Sequence, residues 1–235
     1  DQLRTYSDPG TYAQRVKDTF LREYNQAKEL AIPDGYNPQP RCVPKKENIS
    51  LMQRYVACQV AERRRFGNWC GTGSGKTLSA IIASRVIDAG ITVICCPYNV
   101  IETWQRQIED AYPDSIIHFK DMQTPIQIDN SNQHHYIILN YEFFPRCKQS
   151  LSTLLHKRGV DFVILDEVHH TKQREQKKAS KRTRIMQWFL SEAREYNDNI
   201  AVLGMSATPV INGLREGKTL IELVTNEELT ELNTK

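Results

Sequence analysis

Two rhythms alternate along the chain: short unbroken apolar runs, and stretches in which apolar residues return every third or fourth position. Ile91-Thr92-Val93-Ile94-Cys95-Cys96, closed by Pro97, has no polar alternation and predicts a strand buried on both faces. Phe162-Val163-Ile164-Leu165 is a second such run and stops at Asp166-Glu167. Shorter runs at 66–70, 115–119, 136–139 and 200–203 predict further strands. Between them, Leu78, Ile81, Ile82, Arg85, Val86 and Ala89 recur at helical spacing, with Gly90 as the expected stop. Val100, Ile101, Trp104 and Ile108 mark another helix, as do Leu151, Leu154 and Leu155. Ile185, Met186, Trp188, Phe189 and Ala193 mark a further one, and 214–224 the last. Strands that alternate with helices predict an α/β fold, a mostly parallel sheet with helices on both faces.

The first fifth of the chain reads differently. Tyr12, Val16, Phe20, Tyr24, Ala27 and Leu30 or Ala31 describe an amphipathic helix over 11–31, expected to pack on the main domain. Pro33, Pro38, Pro40 and Pro44 with Gly35 then preclude regular structure. Ser50 followed by Gln53 is a capping-box pattern, and Leu51, Tyr55 and Cys58 carry a helix toward Arg63-Arg64-Arg65, cations suited to a helix C-terminus. The division expected is an accessory helix and Pro-rich linker over 1–47, and one α/β lobe over 48–235.

A net charge of +3 does not by itself announce nucleic acid. No apolar run approaches membrane-spanning length, and Asp1-Gln2-Leu3-Arg4 does not resemble a signal peptide. The expected setting is therefore intracellular, cytoplasmic or nuclear, without a membrane partner. The missing initiator Met suggests a fragment. Six cysteines without a Cys-x-x-Cys pair argue for buried thiols rather than disulfides or zinc. The neighbouring pairs His134-His135 and His169-His170 are poorly disposed to share a metal, because adjacent side chains on a strand point oppositely.

Candidate chemistry centres on Gly71-Thr72-Gly73-Ser74-Gly75-Lys76-Thr77, directly ahead of an amphipathic helix. Closely spaced glycines let successive backbone N–H groups face an anion, the lysine supplies charge for terminal phosphates, and the threonine hydroxyl can hold Mg²⁺. This is a P-loop, with Cys70 where the strict pattern has glycine. Ligands in open parallel sheets gather at the C-terminal strand ends, where Asp166 and Glu167 stand. Asp166 can share a Mg²⁺ with Thr77, and Glu167 can orient and deprotonate a water for attack on the γ-phosphate of ATP.

These residues carry a resemblance. Asp166-Glu167-Val168-His169 resembles the DExH box of superfamily 2 helicases, and Ser206-Ala207-Thr208 is similar to their motif III. Gln53 lies where many members carry an adenine-reading glutamine. Cys96-Pro97 with Trp104 resembles the segment after the second strand. Asn140-Tyr141-Glu142 and Thr208-Pro209-Val210-Ile211-Asn212 resemble stretches of the Snf2 branch, although that branch usually has Gly-Thr in place of the Ser206-Ala207-Thr208 form. The resemblance spans about 50–224 and implies the first RecA-like P-loop NTPase lobe of a two-lobed ATP-driven translocase on duplex DNA. A second lobe would supply the arginine finger. It implies that Lys76, Asp166, Glu167, His169, Ser206 and Thr208 serve catalysis and its coupling.

It also carries Tyr98-Asn99 and Asn140-Tyr141 over as nucleic-acid contacts. The stretch 172–184, with seven cations and one anion, is a further candidate for DNA contact, or else a solvated charge run. Two alternatives remain open: a strand-separating DNA or RNA helicase, and a nucleotide-dependent binding module without turnover.

Overall fold

The computed structural model describes residues 9–38, 49–119, 128, 133–168, 181–209 and 214–230. Its strands are β1 (Arg65–Asn68), β2 (Ile91–Cys96), β3 (Ile116–Phe119), β4 (His135–Asn140), β5 (Phe162–Asp166) and β6 (Ala201–Met205). All pairings are parallel, in the order β1-β6-β5-β2-β4-β3. The helices are α1 (Pro9–Glu29), α2 (Leu51–Arg63), α3 (Lys76–Val86), α4 (Ile101–Ala111), α5 (Lys148–Arg158), α6 (Lys181–Tyr196) and α7 (Leu214–Thr225).

The unbroken apolar runs are explained by two cores, one on each face of the sheet. Val93, Cys95, Val163, Leu165 and Val202 point to one face, where α5, α6 and α7 cover them with Leu151, Leu155, Phe189 and Leu220. Ile94, Cys96, Ile164 and Leu203 point to the other, under Val60 of α2, Ile81 and Ile82 of α3, and Trp104 and Ile108 of α4. Each fully buried aliphatic side chain contributes roughly 1.5–3 kcal/mol, so a polar residue at either parity of β2 or β5 would be costly.

Register sets the level of the strand ends. Met205 is the partner of Asn68 on one side and of Asp166 on the other. Three strands therefore stop side by side, and whatever follows β1, β5 and β6 emerges along one edge.

Three details differ from the sequence reading. Helix α3 ends at Val86, short of Gly90, because Asp88 itself takes the left-handed turn (φ 52°) and Gly90 already leads into β2. The arginine triplet is divided. Arg63 ends α2 and pairs with Glu23 at 3.1 Å, Arg64 adopts the left-handed cap (φ 60°), and Arg65 opens β1 with a bond to the Thr225 carbonyl. The apolar stripe of α1 is buried only at its C-terminal end.

There Ala27 is covered, the Tyr55 hydroxyl donates to Glu23, and the Arg54 guanidinium donates to the Leu30 carbonyl at 2.7 Å. Tyr12, Val16 and Phe20 remain 61%, 50% and 63% exposed. Lengths account for this: the 21 residues of α1 span about 31 Å against about 20 Å for the 13 of α2. Among the described residues no helix is long and apolar enough to cross a membrane.

Candidate nucleotide-binding site

The P-loop grows out of Asn68. Its side chain is buried at the end of β1, its Oδ1 accepts the Cys70 N–H at 3.2 Å, and its Nδ2 reaches Ser79 Oγ of α3 at 3.5 Å. The chain then turns back through Gly73 and Gly75 in the left-handed region, at φ 75° and 78°. Gly75 caps α3, so the loop is delivered to a helix N-terminus and its partial positive charge. Gly71, Thr72 and Gly73 are exposed, Ser74 and Thr77 half-buried. Ser74 Oγ donates to the Gly71 carbonyl at 2.9 Å.

Lys76 is 9% exposed, and its Nζ donates to the carbonyls of Cys70 and Gly71, each at 2.9 Å. Its ammonium is thus held over the concave side of the loop by oxygen acceptors. Gln53 completes the capping box of α2 by accepting the Ser50 N–H at 2.8 Å, and its amide donates to the Gly75 carbonyl at 3.2 Å. It lies against the P-loop as a brace between α2 and α3.

Asp166 closes β5 with 8% exposure. One carboxylate oxygen, Oδ2, accepts the Trp104 indole N–H at 2.8 Å, and its backbone carbonyl accepts the Tyr141 hydroxyl at 2.8 Å. Burial pushes its carboxyl up to about 6. The Trp104 bond opposes this, the neighbouring Glu167 charge adds to it, and the Glu167 backbone N–H and the Lys76 ammonium both pull downward. The influence of Lys76 expresses their proximity across nearly ninety residues of sequence. Cys96, beneath this carboxylate, is pushed up to about 12 by burial and then by Asp166, which keeps its thiol protonated.

Glu167 follows in the left-handed region at φ 48°, an uncommon conformation for a residue with a side chain. Ser206, fully buried, lies between the two halves. Its N–H donates to the Asn68 carbonyl at 3.2 Å, its hydroxyl donates to Glu167 Oε2 over a long 3.4 Å, and its Oγ accepts the Thr208 N–H at 3.1 Å. The predicted Lys76, Asp166, Glu167, Ser206 and Thr208 thus share one edge with the P-loop. His169 lies outside the described residues, as does 172–180 of the basic stretch.

The family described as Type III restriction enzyme, res subunit, matches residues 41–211, most of the chain. The chain belongs to that family. The fold is also that of the Sulfolobus solfataricus SWI2/SNF2 ATPase core. The structure of that core in complex with double-stranded DNA superposes with a TM-score of 0.58 at 13% identity, covering 83% of this chain and 38% of that one. The core domain without DNA gives 0.51 at 15% identity, covering 83% and 39%. This chain thus spans under two fifths of those proteins. No curated protein matches it in sequence. By family it is a res-subunit domain, and by fold a RecA-like lobe.

Within this family member, the candidate nucleic-acid contacts divide. Tyr98 is 72% exposed and Asn99 is exposed at the end of β2. Asn140 and Tyr141 are buried at 3% and 2% and bond inward, Asn140 to the Phe143 N–H and Tyr141 to Asp166. Their side chains serve the lobe's interior. In the sequence Trp104 stood out as an apolar stripe position and as part of the segment resembling the family's stretch after the second strand, and Asn68 only within a strand, neither with a role at the site. A buried indole needs an acceptor for its N–H, which was the available signal for the first.

Proposed function

We propose that this lobe binds ATP with Mg²⁺ and, joined to a second RecA-like lobe, hydrolyses it to drive translocation along duplex DNA. The observation that carries the reading is the shared edge: Lys76 with its P-loop at the end of β1, and Asp166-Glu167 at the end of β5, both level with Met205 of β6.

The donor set suits that substrate. An ammonium faces into a glycine turn, and at Gly73 a Cβ would meet nothing within 4 Å, so a phosphate chain has room beside the backbone. The Thr77 hydroxyl and the Asp166 carboxylate are hard oxygen donors suited to Mg²⁺, which when bound neutralises charge on the phosphate oxygens. Loop N–H groups and the α3 N-terminus orient the triphosphate. Lys76 exchanges its loop carbonyls for phosphate oxygens. Glu167 is the base that orients a water and takes its proton, and Ser206, whose hydroxyl also accepts the Thr208 N–H, connects Glu167 to the P-loop strand. The arginine finger of a second lobe is worth on the order of 10³–10⁵ in turnover, so this lobe alone turns over slowly.

Duplex DNA as the track is supported by the SWI2/SNF2 core, a fold match that is a complex with double-stranded DNA. In the full-length protein, ATPase stimulation should be greatest with duplex and smaller with single strands or RNA. Stimulation by single strands alone would favour a strand-separating helicase. Lys76→Ala should abolish ATP binding measured by calorimetry. Retained affinity would remove the reading altogether. Glu167→Gln should bind ATP normally and lose hydrolysis.

A further inference from the structure

The first of the two adjacent acids is held from two sides. Asp166 is fixed twice, by the indole of Trp104 at its side chain and by the phenol of Tyr141 at its backbone carbonyl. Trp104 reaches Asp166 from α4, 62 residues away in sequence, and at 1% exposure its ring is locked in the core with Cys96 and Ile108.

An indole has one N–H and no acceptor, so its direction is set entirely by how the ring packs. We propose that Trp104 is a positioning residue for the Asp166 carboxylate. Its N–H engages Oδ2, fixes the rotation of the carboxylate, and leaves Oδ1 as the oxygen available to a divalent cation. This rests on the reading of Asp166 as the cation-holding carboxylate.

The bond does this work better than a bond to a neutral acceptor would. Hydrogen bonds with a charged partner are shorter and stronger than neutral ones, and loss of this donor in a buried site leaves a carboxylate oxygen without a partner that water cannot easily replace. A free carboxylate would rotate about its last torsion, a soft and roughly two-fold one, and would present either oxygen.

The test separates the N–H from the ring. Trp104→Phe keeps an aromatic ring, and replacement of Trp104 by 3-(3-benzothienyl)alanine keeps the bicyclic shape while exchanging N–H for sulfur. Binding of a fluorescent ATP analogue is titrated against Mg²⁺ and repeated in EDTA, with circular dichroism confirming the fold. Both replacements should raise the Mg²⁺ concentration for half-maximal binding by roughly tenfold or more, while affinity in EDTA stays at the wild-type value.

Wild-type Mg²⁺ dependence in the benzothienyl protein would reduce Trp104 to packing and overturn the proposal, whatever Trp104→Phe does to folding. Asp166→Asn, measured in parallel, tests the underlying reading. If it raises the Mg²⁺ requirement and the benzothienyl protein does not, only the role of Trp104 falls. If Asp166→Asn leaves the requirement unchanged, the assignment of Asp166 falls and the proposal with it.

Discussion

Alanine substitution along the P-loop should produce a graded response that the backbone dictates. At Gly71 the added Cβ meets nothing within 4 Å and φ lies outside the left-handed region, so the folded state is barely affected. At Gly73 the space is also open but φ is 75°. A left-handed residue with a Cβ costs about 1–2 kcal/mol. At Gly75 φ is 78°, and the Cβ would come 2.4 Å from Gln53 Nε2. Gln53 must then swing away, breaking its bond to the Gly75 carbonyl and loosening the capping-box bond to Ser50. An unsatisfied buried amide adds about 1–3 kcal/mol, so the total for Gly75→Ala is about 2–5 kcal/mol.

For a chain of this size each kcal/mol lowers the melting temperature by about 2–4 °C. Thermal melts should therefore rank the variants Gly71→Ala, Gly73→Ala, Gly75→Ala from mildest to most severe. The Gln53→Ala, Gly75→Ala double variant should be less damaged than the two single effects combined, because the clash exists only when both native Gln53 and the new Cβ are present. Equal melting shifts at all three glycines would refute this reasoning, as would additivity at Gln53 and Gly75 within about 0.5 kcal/mol.

Other consequences are equally open to measurement. The folded state holds the Asp166 proton more tightly than the unfolded chain, whose value is near 3.8, so stability without metal should fall as pH rises from about 4 to about 6. The fall amounts to about 3 kcal/mol, and urea titrations of Asp166→Asn should lack it. In the same window Mg²⁺-dependent ATP binding should weaken as pH drops below about 6, because the protonated acid no longer holds a cation. Arg194 places Nε and Nη2 in the interior without hydrogen-bond partners, with burial and then Arg65 driving its guanidinium down to about 10. Arg194→Met should raise the melting temperature by about 2–4 °C despite losing the bond to Asn226, and a lower value would contradict that account. Tyr141→Phe removes the donor to the Asp166 carbonyl beside left-handed Glu167, and should cost about 1 kcal/mol in denaturant melts while lowering kcat more than ATP affinity.

The double-sided core was legible because β2 and β5 carry apolar residues at both parities, a pattern that only a sheet covered on both faces satisfies. The P-loop was legible because its demand is local: small residues, a lysine and a helix start within seven positions. Strand order was not, since nothing in β6 announces that it separates β1 from β5. The Trp104 bond was hidden for a related reason. Its partner lies 62 residues away, and neither the apolar stripe nor the resemblance of Cys96-Pro97 with Trp104 to a family segment names that partner. The reach of α1 beyond α2 depends on the relative lengths of two packed helices, a quantity that periodicity does not encode.

The seat of Ser206 has a bearing on how defects in this lobe will present themselves. One small residue touches the strand that launches the phosphate cradle through its amide and the neighbouring acid through its hydroxyl. Ser206→Ala would remove the hydroxyl and keep the amide bond, whereas a larger side chain in this fully buried seat would displace both. Kinetic profiles should therefore split by size at position 206: the alanine variant loses turnover and keeps its grip on nucleotide, while bulky variants show paired faults in both.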